Sequence, residues 1–155
     1  MFARLLLLCL LGISCVNCEY LFKKLCSDED PHQCEVYNVI LDPCEDGKNF
    51  CTINKLKHYT LSIDFLPKFS ANKLNMSMLI DDKLTDTFDG EVKVPSDACE
   101  VLTCPVDAQT RRLFDVRFKL GKSIAVGKYP VKMKLFNSEN EKQSCCFTFN
   151  VKIKK

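Results

Sequence analysis

Apolar and polar residues alternate along most of this chain. Tyr59, Leu61, Ile63 and Phe65 are separated by Thr60, Ser62 and Asp64, and Leu74, Met76, Met78 and Ile80 by Asn75, Ser77 and Leu79. Farther on, Phe114, Val116, Phe118 and Leu120 alternate with Asp115, Arg117 and Lys119; Tyr129, Val131, Met133 and Leu135 with Pro130, Lys132 and Lys134; and Phe147, Phe149, Val151 and Ile153 with Thr148, Asn150 and Lys152. A period of two sends successive side chains to opposite faces of an extended strand, so each segment predicts a strand with one buried and one wet face. Val36 to Leu41 predicts a sixth strand and Leu84 to Val94 a seventh, while no stretch has the spacing of an amphipathic helix. Such an all-β chain buries its apolar faces by packing two antiparallel sheets together. The polar run Asn137 to Ser144 predicts an antiparallel hairpin with a long tip between the last two strands.

The alternation assigns Phe118, Met133 and Phe149 to the interior, with Met76 and Met78 beside them. Methionine is flexible and fills irregular space, and the phenylalanines are bulky rather than tightly branched. Two readings stand at this point: an ordinary sandwich core, or two sheets held apart around an apolar ligand.

Composition adds a compartment. Met1 to Arg4 is a short basic start, Leu5 to Ile13 an apolar core, and Val16-Asn17-Cys18 a small-residue exit, which together predict a signal peptide over residues 1–18 and one domain over 19–155. An apolar run of that length is too short to span a membrane. Of eleven cysteines the leader removes Cys9, Cys15 and Cys18, and the even set Cys26, Cys34, Cys44, Cys51, Cys99, Cys104, Cys145 and Cys146 remains. An even count behind a signal peptide predicts full pairing in an oxidising compartment. The net charge of +2 leaves no overall electrostatic footprint for nucleic acid. Asn75-Met76-Ser77 is a sequon, so Asn75 is a candidate glycan site.

No catalytic constellation emerges. His32 and His58 are the two histidines, and neither lies in a metal or protease motif. The local cysteine pairs lack the short Cys-x-x-Cys knuckle of a zinc site, and paired cysteines leave no thiol nucleophile. The acidic clusters Ser27 to Asp30, Asp81-Asp82 and Asp86 to Asp89 lack the alternate-position spacing of a calcium loop and read as solvated turns. The expectation is a protein that is not an enzyme and carries neither metal nor cofactor.

The ordered set Asp42-Pro43-Cys44, Cys51, Cys99 to Cys104-Pro105, Gly127-Lys128-Tyr129-Pro130 and the terminal Cys146 to Ile153 resembles the ML lipid-recognition family, and within it the sterol carriers of the Niemann-Pick type C2 kind. The resemblance runs from about Cys26 to Ile153. It implies an immunoglobulin-like sandwich of two antiparallel sheets enclosing an apolar pocket and stapled by disulfides. It implies pairing of Cys44 with Cys51, Cys99 with Cys104 and Cys26 with Cys146, which leaves Cys34 for Cys145 as a departure from the sterol carriers' six cysteines. Neighbouring Cys145 and Cys146 point to opposite faces of a strand, and exchange of Cys26 with Cys34 stays open. The resemblance also places Tyr129 at the pocket mouth, with Ile124 or Val126 shortly before it and Phe88, Val92 or Val94 from the segment ahead. For Tyr129 the competing reading is a core tyrosine with a bonded hydroxyl.

The functional expectation is a secreted or lysosomal carrier that desolvates one sterol or fatty-acyl lipid between its sheets, acting as a monomer. The competing class is an immune or signalling module that presents its lipid to a receptor ectodomain. A further expectation concerns docking on an anionic membrane surface: if the last three strands are neighbours, Arg117, Lys119, Lys132, Lys134, Lys152 and Lys154 share one outer face. Otherwise those charges are a solvated face that keeps a sheet soluble.

Overall fold

A computed structural model of the chain describes residues 19–44, 50–85, 87–88 and 90–155; the leader expected over 1–18, with its three cysteines, lies outside them, as do Asp86 and Asp89. Ten strands follow in order: β1 Glu19–Tyr20, β2 Lys23–Leu25, β3 Cys34–Asp42, β4 Cys51–Asn54, β5 Tyr59–Pro67, β6 Leu74–Ile80, β7 Gly90–Glu91, β8 Arg112–Phe118, β9 Gly127–Asn137 and β10 Asn140–Lys154. Among the described residues the helical elements are two single 3-10 turns, Pro31–Gln33 and Ala98–Glu100.

The first sheet runs β1-β3-β5-β8 and the second β2-β10-β9-β6-β7, with β4 also on β10. Pairing is antiparallel throughout except for β4, which runs parallel to β10 from Val151 opposite Cys51 to Lys154 opposite Asn54. The long strands lie on the alternating segments because each has one face to bury: Leu61, Ile63 and Phe65 on β5 and Phe114 and Val116 on β8 meet Met76, Met78, Val131, Met133, Phe147 and Phe149 from the other sheet, all buried. Met78, Met133 and Phe147 stand opposite one another in one lateral row across β6, β9 and β10. Phe65 and Phe114 meet edge to face with ring centres 5.9 Å apart.

Three sequence expectations change. Leu84 to Val94 yields only the two residues of β7, because the Asp81 carboxylate accepts a hydrogen bond from the Thr85 amide at 3.1 Å and Leu84 turns through a positive φ of 55°. Asn137 to Ser144 is no open tip: the Asn137 side-chain oxygen accepts from the Glu139 amide at 3.0 Å, Asn137 pairs directly with Asn140, and β10 begins there. Its polar character reflects a hairpin end that projects into solvent. Finally β8 and β9, consecutive in sequence, belong to different sheets. Arg117 and Lys119 are therefore separated from Lys132, Lys134, Lys152 and Lys154, and the six do not form one patch. Alternation fixes the face a residue occupies but carries no label for the sheet.

The disulfides are Cys26–Cys146, Cys34–Cys145, Cys44–Cys51 and Cys99–Cys104. Cys145 is in phase with inward Phe147 and reaches across the interior to Cys34 at the start of β3, so this bond joins the two sheets. Cys146 points the other way and holds Cys26, whose amide donates to the Cys146 carbonyl at 3.2 Å.

Candidate functional site

Three chain segments converge at the end of the sandwich where β5 begins and β8 ends. The β4–β5 turn contributes Leu56, held in the left-handed region at φ 64° with its amide donating to the Leu120 carbonyl at 3.2 Å. The segment after β7 contributes Val92, whose amide donates to the Met78 carbonyl at 2.9 Å and so continues the edge of the second sheet. This edge lies close because Gly90 has no side chain: a Cβ there would fall 2.7 Å from Ile80 Cγ2 and 2.8 Å from the Ile80 carbonyl oxygen. The β8–β9 connection contributes Leu120 and Ile124. Together Leu56, Val92, Leu120 and Ile124 form the apolar walls of a pocket of about 290 Å³. Glu91, Lys93 and Lys119 stand on its rim, and Ser123 adds a hydroxyl.

Two of the candidates for lipid contact, Val92 and Ile124, line this pocket, and so does Lys119 from the basic set. Tyr129 does not line it: the residue is buried, with its ring across Gly127 and its hydroxyl donating to the Val126 carbonyl at 3.4 Å. This is the core tyrosine with a bonded hydroxyl. Val126 itself is 53% exposed and stands outside the pocket. Phe118 is buried against Tyr59 at 6.1 Å between ring centres, and the Tyr59 hydroxyl accepts from the Asn54 amide at 2.7 Å. Met133 on β9 and Phe149 on β10 are buried in the second sheet outside this pocket, and Val94 packs half-buried on the core. Phe88 is farther away, on the outer face of the second sheet, where the Lys132 ammonium lies 5.6 Å from its ring centre. Leu56 escaped the sequence reading because a loop residue carries no periodicity, while Leu120 was read only as the last inward position of an alternating strand and Lys93 only as part of the strand expected over Leu84 to Val94.

The basic candidates are dispersed. Lys132 forms an ion pair with Asp28 and Lys134 with Glu29, and Glu29 also accepts from the Ser144 hydroxyl at 2.9 Å. The hydrogen bond from Lys132 holds the Asp28 carboxyl below the usual carboxylate range. The acidic run that reads as a solvated turn thus lies over the lysines of β9. Lys152 flanks the Phe50 ring with Lys128, at 5.8 and 4.3 Å from its centre. Lys154 sits one position before the end of the chain, at the end of β10. Asn75 lies half-buried on the outer face of β6, bridged to Asp97.

Comparison with known proteins follows this geometry. A family model described as ML domain matches residues 22–153. A protein of Manduca sexta called MD-2-related lipid-recognition protein is 32% identical over 151 residues, which are 97% of this chain and 96% of that protein. Among solved structures, the crystal structure of a Niemann-Pick type C2 protein from Japanese carpenter ant superposes with a TM-score of 0.70 at 18% identity, over 86% of this chain and 99% of that one. At that identity the likeness concerns the fold.

Proposed function

The chain belongs to the ML domain family of lipid-recognition proteins, and from that premise we propose that it is a secreted or lysosomal carrier holding one sterol or fatty-acyl lipid. In this reading residues 1–18 direct export and are removed, and the oxidising compartment completes the four disulfides. The observation that carries the proposal is the apolar pocket of Leu56, Val92, Leu120 and Ile124 at one end of an interior built from Met76, Met78, Met133 and Phe149. Flexible methionines let that interior repack around a tail. Binding needs no covalent chemistry: removing apolar surface from water contributes about 25 cal/mol per Å² before ordering costs are subtracted. Asn75, on the outer face of the second sheet, is compatible with a glycan that leaves the pocket mouth free.

The test is direct. Protein made in an oxidising host should yield an extractable lipid by mass spectrometry and, once stripped, take up one equivalent of a fluorescent sterol or fatty acid. Ile124→Trp, which fills the pocket, should weaken that uptake at least about tenfold with little change in the thermal midpoint. Protein that carries no lipid and takes up neither probe would overturn the proposal.

A further inference from the structure

The outward row of β9 is Lys128, Pro130, Lys132, Lys134 and Phe136. Its last member is a ring, out of phase with the buried Met133 and Leu135 and so turned away from the interior. Phe136 is half-buried there, with the Lys134 ammonium 5.6 Å from its ring centre. Antiparallel pairing sets Phe136 directly opposite Asn75 on β6, and Lys134 opposite Ser77. Residues so paired share one face, with Cβ atoms about 5 Å apart. The sequon Asn75-Met76-Ser77 therefore presents its asparagine and its serine to the same outer face, and an aromatic ring stands beside the asparagine. The Asn75 side chain is half-buried and makes no hydrogen bond among the described residues. The position is also remote from the pocket: β6 runs on from Asn75 to Ile80, which meets Gly90 just before the pocket residues, about 17 Å farther along the strand.

Resting only on the export part of the carrier reading, we infer that Asn75 carries an N-linked glycan whose first sugar lies on the Phe136 ring. Attachment takes place on the extended chain during export, so the later burial of Asn75 does not oppose it. The Asn75 amide nitrogen displaces a lipid-linked pyrophosphate from the anomeric carbon of the sugar. One C–N bond forms, one C–O bond breaks with its electron pair going to the pyrophosphate, and the nitrogen gives up one proton to the host transferase. Once β6 pairs with β9, the sugar is held beside the ring. The face of a pyranose that bears its C–H groups is apolar and weakly positive, which complements the negative face of an aromatic ring, while its hydroxyls stay in water. The glycan thereby covers the apolar surface that Phe136 adds to a wet face. A contact of this kind is comparable to a cross-strand aromatic pair, which in a domain of this size raises the thermal midpoint by about 2–3 °C.

The full chain, expressed in a secretory host that attaches only high-mannose glycans, provides the test. The intact mass of the exported protein should show one glycan, absent from Ser77→Ala. Its thermal midpoint should exceed that of Ser77→Ala by about 2–3 °C, and enzymatic trimming to a single N-acetylglucosamine should preserve the gain, because the first sugar is the one on the ring. In a Phe136→Leu background, which keeps an apolar side chain but removes the ring, the glycosylated protein and its Ser77→Ala counterpart should melt together. Export without a glycan, or a gain that survives in Phe136→Leu, would overturn the inference and leave the carrier reading standing. A chain that is not exported and keeps its first eighteen residues would overturn both.

Discussion

A methyl group has nowhere to go at position 127. A Cβ built on Gly127 falls 2.6 Å from the Tyr129 hydroxyl oxygen and 2.7 Å from Cζ of the same ring. These residues lie two apart on one strand and so share a face, which makes glycine the condition for the ring to lie along β9. Gly127→Ala must push a buried ring off its seat and should cost about 1–3 kcal/mol, read as a shift in the denaturation midpoint. The cause can be isolated. In a Tyr129→Leu background the same alanine should cost less than half as much, because the atoms it strikes are gone. Additive costs would place the strain in the backbone. Tyr129 also shows what a motif leaves out: Gly-Lys-Tyr-Pro marks the start of β9, but not that the tyrosine hydroxyl donates to the Val126 carbonyl while the ring is buried.

Strands of seven residues or more were legible because alternation accumulates over their length, whereas β1, β2, β4 and β7, of two to four residues, give too few repeats to register. What an element packs against was less legible still. The acidic segment after β2 covers β9 through Asp28 with Lys132 and Glu29 with Lys134, partners more than a hundred positions apart whose pairing no local pattern encodes. Charge reversal therefore tests the seating of this segment as well as membrane affinity. Lys134→Glu should be the worse of the two changes, since the Glu29 side chain is 20% exposed and that of Asp28 is 62% exposed. A loss on the order of 1–3 kcal/mol is expected for Lys134→Glu and little for Lys132→Glu, measured by thermal denaturation. Acidity reports on the same contact. The Asp28 carboxyl is depressed in the folded protein, so its contribution is complete above the unfolded value of about 3.9 and is lost only as pH falls through the lower folded value. The pair thus persists at about pH 5, an acidity that a lysosomal destination requires.

Across the whole molecule the covalent ties are lopsided. Cys34–Cys145 joins the sheets directly, Cys44–Cys51 links the residue pair beyond β3 to β4, and the chain itself passes from β1 to β2, all along the seam where β3 faces β10. At the mouth half of the opposite seam, between β8 and the segment after β7, no disulfide and no backbone hydrogen bond joins the sheets among the described residues. Cysteine parity foretold the number of bonds; only the topology shows that Cys34–Cys145 and Cys44–Cys51 lie on the β3–β10 side, while Cys99–Cys104 closes a local loop between β7 and β8. A sandwich stapled along one edge opens along the other, which is where Leu56, Val92, Leu120 and Ile124 line the pocket. Opening free energies differ within a fold, and amide exchange reads them locally. In lipid-free protein, amides of Arg112–Phe118 that point away from β5, and those of Val92 to Val94, should exchange faster than amides of β10, and lipid loading should slow the first group about tenfold while leaving β10 nearly unchanged. Protection confined to the β3–β10 seam, or spread evenly over both sheets, would mean that the stapled edge moves or that the sandwich responds as one body, and the one-sided opening would have to be abandoned.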